Sequence, residues 1–174
     1  MEYTVRRHND NQRWHSIHIM KEKFKRAYMQ TAQTFAGLSS ARRLQVGAIV
    51  VKDDRIISIG YNGMPAGWDN NCEDETTDTY SGFEGAIHSV RLKTKPEVLH
   101  AESNCIAKLA KSNESGLGAD LFVTHAPCLQ CAKLIYQSGI SCVYYGQQYR
   151  DDSGLVFLEK SGVKLEQLPV EDFL

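Results

Sequence analysis

The chain has 174 residues, of which 42% are hydrophobic and 24% are charged, and its formal net charge is -1. This length and composition suit one globular domain with a core of useful size. The small net charge argues against a long nucleic acid or an anionic membrane surface as a partner, whereas a small phosphorylated ligand needs only local donors.

Residues 1–13 are polar, and we predict that they form an N-terminal arm. The segment has no apolar stretch typical of a secretory signal, and no run approaches the ~18 apolar residues of a spanning helix. The five cysteines are an odd number, which indicates reduced thiols or metal ligands rather than a disulfide framework. We therefore expect a cytoplasmic, single-domain protein over residues 1–174, with no membrane partner.

The first predicted elements are a helix and a hairpin. Apolar residues recur at helical spacing over residues 14–35 and predict an amphipathic helix. Apolar runs at 46–51 and 56–61, separated by a turn at Asp53-Asp54, predict two paired strands. The polar region 68–99 shows weak periodicity, so we interpret it as an insertion-like loop region.

After residue 100, helical and strand patterns alternate. Helices are predicted over 100–111, 127–138 and 153–161, and strands over 119–126, 141–146 and 163–168. A hairpin followed by this alternation predicts a three-layer α/β/α sandwich around a mixed five-stranded sheet, with parallel pairing in the second half.

Two cysteines stand directly behind a proline in the stretch Pro127-Cys128-Leu129-Gln130-Cys131. Proline suits the first position of a helix, so both thiols are expected on one face of a first helical turn. A helix N-terminus also favours the thiolate, which is the form that binds metal. Taken alone, the pair fits a metal site, a redox pair or two small buried side chains.

A second fragment, His100-Ala101-Glu102, opens another predicted helix. One strand separates it from the cysteines, so both helix starts are expected at the carboxyl ends of parallel strands. One imidazole and two thiolates can hold Zn²⁺ tetrahedrally and leave a fourth position for water. We predict that His100, Cys128 and Cys131 are zinc ligands and that Glu102 is the catalytic residue that moves the proton.

Together these fragments resemble the H-x-E…P-C-x-x-C signature of zinc nucleobase deaminases. With the stretch GYNGMPAG from Gly60 to Gly67, most of residues 45–149 resembles the deoxycytidylate (dCMP) deaminase family. The resemblance implies a cytidine deaminase-like fold and one catalytic Zn²⁺. It also implies hydrolytic deamination of dCMP to dUMP and ammonia, which supplies dUMP for thymidylate synthesis.

The resemblance further implies which residues bind the substrate. Asn62 is expected to hydrogen-bond the sugar of dCMP, and the N–H of Ala101 and the carbonyl of Ala126 to hold the pyrimidine edge. Tyr149 matches a family tyrosine near the substrate, although a tyrosine packed over the end of the sheet fits the pattern equally well.

The family is commonly a homohexamer that dCTP activates and dTTP inhibits. The resemblance thus implies a homo-oligomer with a second nucleotide site, where Mg²⁺ can accompany the triphosphate. The residues expected to line that site are Gly60, Asn62, Gly63, Met64, Pro65 and Gly67.

Several side chains keep two interpretations. His125 faces either the pocket or the surface, because strand residues alternate in direction. Arg42 and Arg43 either reach a phosphate or are solvated loop residues. A second, structural zinc is not expected, because Cys72, His88 and His125 are too few and show no recognisable spacing.

Rival interpretations remain. A tRNA adenosine deaminase would share the zinc signature but should carry a basic surface, and the GYNG loop disfavours a riboflavin-pathway deaminase. A catalytically silent, nucleotide-sensing zinc module has no use for Glu102. A C-x-x-C redox protein leaves both His100 and Glu102 unexplained.

Overall fold

The computed structural model describes residues 20–82 and 85–169. Helices and strands follow in the order α1 (Glu22–Ala36), β1 (Gly47–Lys52), β2 (Arg55–Tyr61), β3 (Glu73–Gly82), β4 (Gly85–Thr94), α2 (Ala101–Leu109), β5 (Asp120–His125), α3 (Leu129–Gln137), β6 (Cys142–Gln147), α4 (Ser153–Lys160) and β7 (Lys164–Gln167). No helix in these ranges is long and apolar enough to cross a membrane.

The main sheet has five strands in the order β2-β1-β5-β6-β7. β1 pairs antiparallel with both β2 and β5, whereas β5, β6 and β7 are parallel. The predicted mixed sheet, with parallel pairing in its second half, is therefore confirmed. Parallel strands need a crossover between them, and α3 and α4 supply those crossovers.

Helices cover both faces of this sheet. Ile49 of β1 and Phe122 of β5 pack with Tyr28 of α1 on one face, and Phe122 stacks on Tyr144 of β6 with ring centroids 4.5 Å apart. Val50, the neighbour of Ile49, points to the other face, where α2, α3 and α4 contribute to a second core cluster. Because both faces are buried, the central strands are continuous apolar runs rather than alternating ones.

The predicted turn at Asp53-Asp54 is confirmed, and a glycine ends α3. Asp53 and Asp54 both have positive φ, at 50° and 58°, as a two-residue turn between twisted antiparallel strands requires. Gly139 follows the cap of α3 with φ 79°, the left-handed conformation that lets a helix stop. The first helix begins at Glu22; the start of its predicted range, at 14–19, and the predicted arm at 1–13 lie outside the described residues.

The region expected to be an insertion-like loop contains a second sheet. β3 and β4 pair antiparallel from Glu73↔Thr94 to Gly82↔Gly85 and form a two-stranded sheet of their own. Side chains such as Glu75, Thr77 and Val90 are exposed. Strand residues that are exposed and mostly polar lack the alternating apolar pattern that reveals a strand in a sequence, which is why the periodicity is weak.

Gly47 opens β1 directly beside α1, and a Cβ there would overlap the backbone of Ala32 and Ala36. Because backbone atoms of a packed helix cannot move alone, Gly47→Ala is expected to lower the free energy of unfolding by roughly 1–3 kcal/mol in a urea titration. Gly63→Ala is the control, since a Cβ at Gly63 meets nothing within 4 Å. Equal loss of stability in both variants would contradict this account of the packing.

Candidate active site

Two helices begin where the parallel strands end. His100 is the N-cap of α2 and Cys128 is the N-cap of α3, and both have extended backbone, with ψ of 152° and 166°. The prediction that Pro127 takes the first helical position is wrong, because the extended backbone of Cys128 delays the helix until Leu129. Cys131 is then the third helical residue, and side chains at the N-cap and at this third position are neighbours.

Close packing holds each helix start in place. A Cβ at Gly60 of β2 would overlap the carbonyl of Ala101, the first residue of α2. A Cβ at Gly154 of α4 would overlap the carbonyl of Pro127, just before α3. Glycine at these two positions lets β2 and α4 approach the helix starts that carry the candidate ligands.

The three candidate ligands meet at these helix starts. Nδ1 of His100 lies 3.6 Å from Sγ of Cys128 and 3.5 Å from Sγ of Cys131. A tetrahedral zinc ion with bonds of about 2.0 Å to nitrogen and about 2.3 Å to sulfur separates those atoms by roughly 3.5 Å. The donor set and its spacing therefore fit zinc. Within the described ranges this is the one His/Cys/Asp/Glu cluster with metal-binding geometry.

The pKa values of the three candidate ligands shift in different directions. Hydrogen bonds from two neighbours lower the pKa of the Cys128 thiol far below its ordinary value; the bond from Cys131 has the larger effect and the bond from His100 the smaller. The hydrogen bond with Cys128, together with burial, raises the pKa of Cys131, and the bond with Cys128 raises that of His100. Zinc binding requires deprotonated thiols and a neutral imidazole, so loading the site releases protons.

Glu102 stands next to the ligands in the first turn of α2, and its side chain is buried, with 4% exposure for the residue. Burial raises the pKa of its carboxyl, while hydrogen bonding to its own backbone and the charge of His100 act in the opposite direction. A carboxyl with a raised pKa can both accept and release a proton near neutral pH. The position suits a proton carrier rather than a surface charge.

A cleft of about 190 Å³ opens onto this cluster. Its wall includes the predicted catalytic residue Glu102 and the predicted zinc ligands His100 and Cys128. It also includes the four predicted substrate residues, which are Asn62, Ala101, Ala126 and Tyr149. The N–H of Ala126 is occupied by the carbonyl of Gln147 at 2.8 Å. The N–H of Ala101, in the first turn of α2, has no partner inside the helix.

Asn62 holds the cleft wall as well as lining it. Its Oδ1 accepts from the N–H of Val46 at 2.8 Å and its Nδ2 donates to the carbonyl of Leu44 at 2.8 Å. The side chain keeps one N–H and one lone pair for a ligand.

The residues predicted for a nucleotide effector have different surroundings. Asn62 alone among them lines the cleft, while Gly60 is packed against α2. Met64 packs on a small core cluster with Ala41, Cys72 and Val98. Gly63 exchanges two backbone hydrogen bonds with Leu99, at 3.1 and 2.9 Å. The loop is thus tied to the residue before His100.

The cleft also contains side chains whose position the sequence left undecided, or which the sequence did not indicate as site residues. His125 lines the cleft, and its Nδ1 lies 3.2 Å from Oγ1 of Thr124. Arg43, Glu73 and Thr94 also line the cleft. Glu73 and Thr94 belong to the polar insertion, where no local pattern marks them as part of a site.

The sequence of the chain is also similar to a known family of enzymes. Residues 22–147 match the family model described as the cytidine and deoxycytidylate deaminase zinc-binding region. The chain belongs to this deaminase family. The ligand cluster of His100, Cys128 and Cys131 and the adjacent Glu102 lie inside the matched range.

Relatives of this deaminase include proteins from phages and bacteria. The dCMP deaminase of cyanophage S-TIM5, whose crystal structure contains dCMP and dUMP, is 43% identical, with a TM-score of 0.74 over 86% of this chain and 99% of that chain. ComE operon protein 2 of Bacillus subtilis is 35% identical over 84% of this chain and 72% of its own length. Deoxycytidylate deaminase of Mycobacterium phage D29 is 36% identical over 70% of this chain and 92% of its own length.

Substituting a ligand is expected to lower the affinity of the protein for zinc. Cys131→Ala and His100→Ala each remove one of three ligands, so zinc affinity is expected to fall by more than about 100-fold, since even the outer partners of ligands contribute 10- to 100-fold. Zinc per chain is measured by elemental analysis after dialysis against a weak chelator. Cys142→Ala is the matched control, because Cys142 is buried in the other core cluster. Full zinc retention in Cys131→Ala would contradict the assignment.

Proposed function

We propose that this protein catalyses the zinc-dependent hydrolysis of dCMP to dUMP and ammonia. The observation that carries the proposal is the buried carboxyl of Glu102 in a cleft that is also lined by His100 and Cys128, two of the three clustered candidate ligands. A purely structural zinc needs a fourth protein ligand and no proton carrier. The similarity to the cyanophage dCMP deaminase supports the choice of substrate.

The protein's own groups account for the proton movement. Bound zinc supplies a Lewis acid that makes water nucleophilic near neutral pH. Glu102 moves both protons of the attacking water in turn: the first goes to the ring nitrogen, and the second goes from the new hydroxyl to the amino group, which leaves as ammonia while the hydroxyl becomes a carbonyl. The N–H of Ala101 and the carbonyl of Ala126 orient the pyrimidine edge, and Asn62 holds the sugar.

The cleft also offers a positive charge for the substrate phosphate. Arg43 lines the cleft, and its Nη1 donates to the hydroxyl of Thr94 at 3.1 Å rather than to a carboxylate. Tyr149 lies on the same cleft and is 39% exposed. A guanidinium in a fixed orientation binds phosphate well. We therefore include Arg43 in the proposal as the phosphate-binding residue.

The proposal extends to regulation and to biological role. The loop 60–67 joins Leu99 by paired backbone hydrogen bonds, one residue before His100. A nucleotide bound at this loop would act on the helix start that carries a zinc ligand. We propose that dCTP, with Mg²⁺, activates and dTTP inhibits a homohexamer in this way, and that the product dUMP supplies thymidylate synthesis.

Ammonia release from a substrate panel tests the reaction. With dCMP, CMP, deoxycytidine and a tRNA anticodon stem as substrates, each with and without dCTP, turnover is expected to be fastest with dCMP. The reason is that Arg43 adds a charged contact which the nucleoside cannot make, typically worth a factor of about 10 or more. Preference for the tRNA stem, or equal rates with dCMP and deoxycytidine, would contradict the proposal.

Glu102→Gln tests the proton carrier. The amide keeps the size of the side chain but cannot accept and release the proton, so kcat is expected to fall by about 10²–10⁴-fold with zinc retained. Zinc per chain and initial rates are measured on the same preparation. Glu97→Gln, on the exposed approach to α2, is the matched control and is expected to keep the rate of the unaltered enzyme. Normal turnover by Glu102→Gln would contradict the mechanism.

A further inference from the structure

A second buried carboxylate, which has no part in the proton transfer, lies on the cleft wall. Glu73 begins β3 at the base of the β3–β4 hairpin and is 1% exposed. Its two carboxylate oxygens accept from consecutive backbone groups of the loop before β1. Oε2 accepts from the N–H of Arg42 at 3.2 Å and Oε1 from the N–H of Arg43 at 3.3 Å.

The residue opposite Glu73 in the hairpin reaches the same arginine. Thr94 pairs with Glu73 in the β3–β4 register, and its hydroxyl accepts from Nη1 of Arg43 at 3.1 Å. The pair at the base of the hairpin therefore holds Arg43 at both ends, through its backbone N–H and through its guanidinium. This double contact fixes the direction of a long side chain that would otherwise have many rotamers.

The two neighbouring arginines differ in the ion pairs that they make. Arg42 makes an ion pair with Glu75 at 2.6 Å, and its Nε lies 3.7 Å from Glu73. Arg43 makes no ion pair within the part of the chain that the structure describes. The positive charge that lines the cleft is thus left for an anionic ligand, while the other arginine balances the acids of the hairpin.

We propose that Glu73 is a positioning residue that holds Arg43 for recognition of the substrate phosphate. The inference rests on the proposed function and adds a residue and a specificity role to it. Burial of a carboxylate is costly, and anchoring a loop to a hairpin needs no charge, since apolar contacts at Ala41, Cys72 and Val98 already join them. What a carboxylate adds is two acceptors for two consecutive N–H groups.

The same geometry explains why glutamine cannot replace Glu73. An amide has one acceptor oxygen, so in Glu73→Gln one of the two N–H groups would face another N–H. A buried donor without an acceptor is unfavourable, and the loop is expected to shift until water reaches it. Arg43 is then expected to move relative to the phosphate. The cluster of His100, Cys128 and Cys131 is expected to stay in place, because its helix starts pack against Gly60 and Gly154 instead.

Steady-state kinetics with dCMP and deoxycytidine test this role. Glu73→Gln is expected to raise KM for dCMP by about tenfold with kcat changed by less than about twofold, the size of one weakened charged contact. For deoxycytidine, kcat/KM is expected to change by less than about threefold. Arg43→Gln should show the same pattern, and the double variant should lose no more than Arg43→Gln alone, because the two residues act as one unit.

Glu75→Gln is the matched control. It makes the same chemical change on the same strand, but its carboxylate contacts Arg42 and is 54% exposed. It is expected to leave KM for dCMP within about twofold of the unaltered enzyme, as is usual for an exposed ion pair. Thr94→Val removes only the contact to the guanidinium, and a selective rise of about threefold in KM for dCMP is expected.

Three results would overturn the inference. The first is equal loss by Glu73→Gln on dCMP and deoxycytidine, which indicates general damage or direct contact with the sugar. The second is additive loss in the double variant. The third, decisive if Glu73→Gln does not fold, is a Thr94→Val enzyme with an unchanged preference for dCMP. Failure of the unaltered chain to deaminate dCMP would instead overturn the proposed function, so the two failures are distinguishable.

Discussion

The site depends on two helix starts meeting at one edge of the sheet. α2 runs into β5 and α3 runs out of it, so both N-termini lie at the carboxyl end of that strand. The N-cap residues of these helices are His100 and Cys128, and the ligand atoms stand 3.6 Å apart. Two glycines make the meeting possible, because a side chain at Gly60 or Gly154 would push a helix start away.

The cleft brings two kinds of charged group together. The thiols of the ligand cluster favour a cation, and Glu102 beside them is kept from solvent, which suits transfer of a proton over a short distance. Arg43 lines the same cleft, where its guanidinium donates to the neutral hydroxyl of Thr94. The cleft therefore combines groups that favour a cation with a positive charge that favours an anion.

The β3–β4 hairpin shows how a polar insertion contributes to such a site. Most of its described side chains face solvent, and its strands pair with each other rather than with the main sheet. Its base is nevertheless part of the cleft, since Glu73 and Thr94 join the loop that carries Arg43. An insertion can add residues to a cleft in this way without altering the helix starts that carry the candidate ligands.

Local patterns were sufficient for much of this protein. Periodicity located the helices and strands around the core, and the spacing of His100, Glu102, Cys128 and Cys131 identified a metal site, because chemistry of that kind is written in short motifs. Spacing did not reveal that Cys128 is a cap rather than a helical residue, since that depends on the backbone angle of one residue. It also did not reveal the β3–β4 hairpin, the place of His125 in the cleft, or the contacts of Glu73 with Arg42 and Arg43. Those contacts join residues about 30 positions apart, and only the folded chain brings such residues within hydrogen-bonding distance.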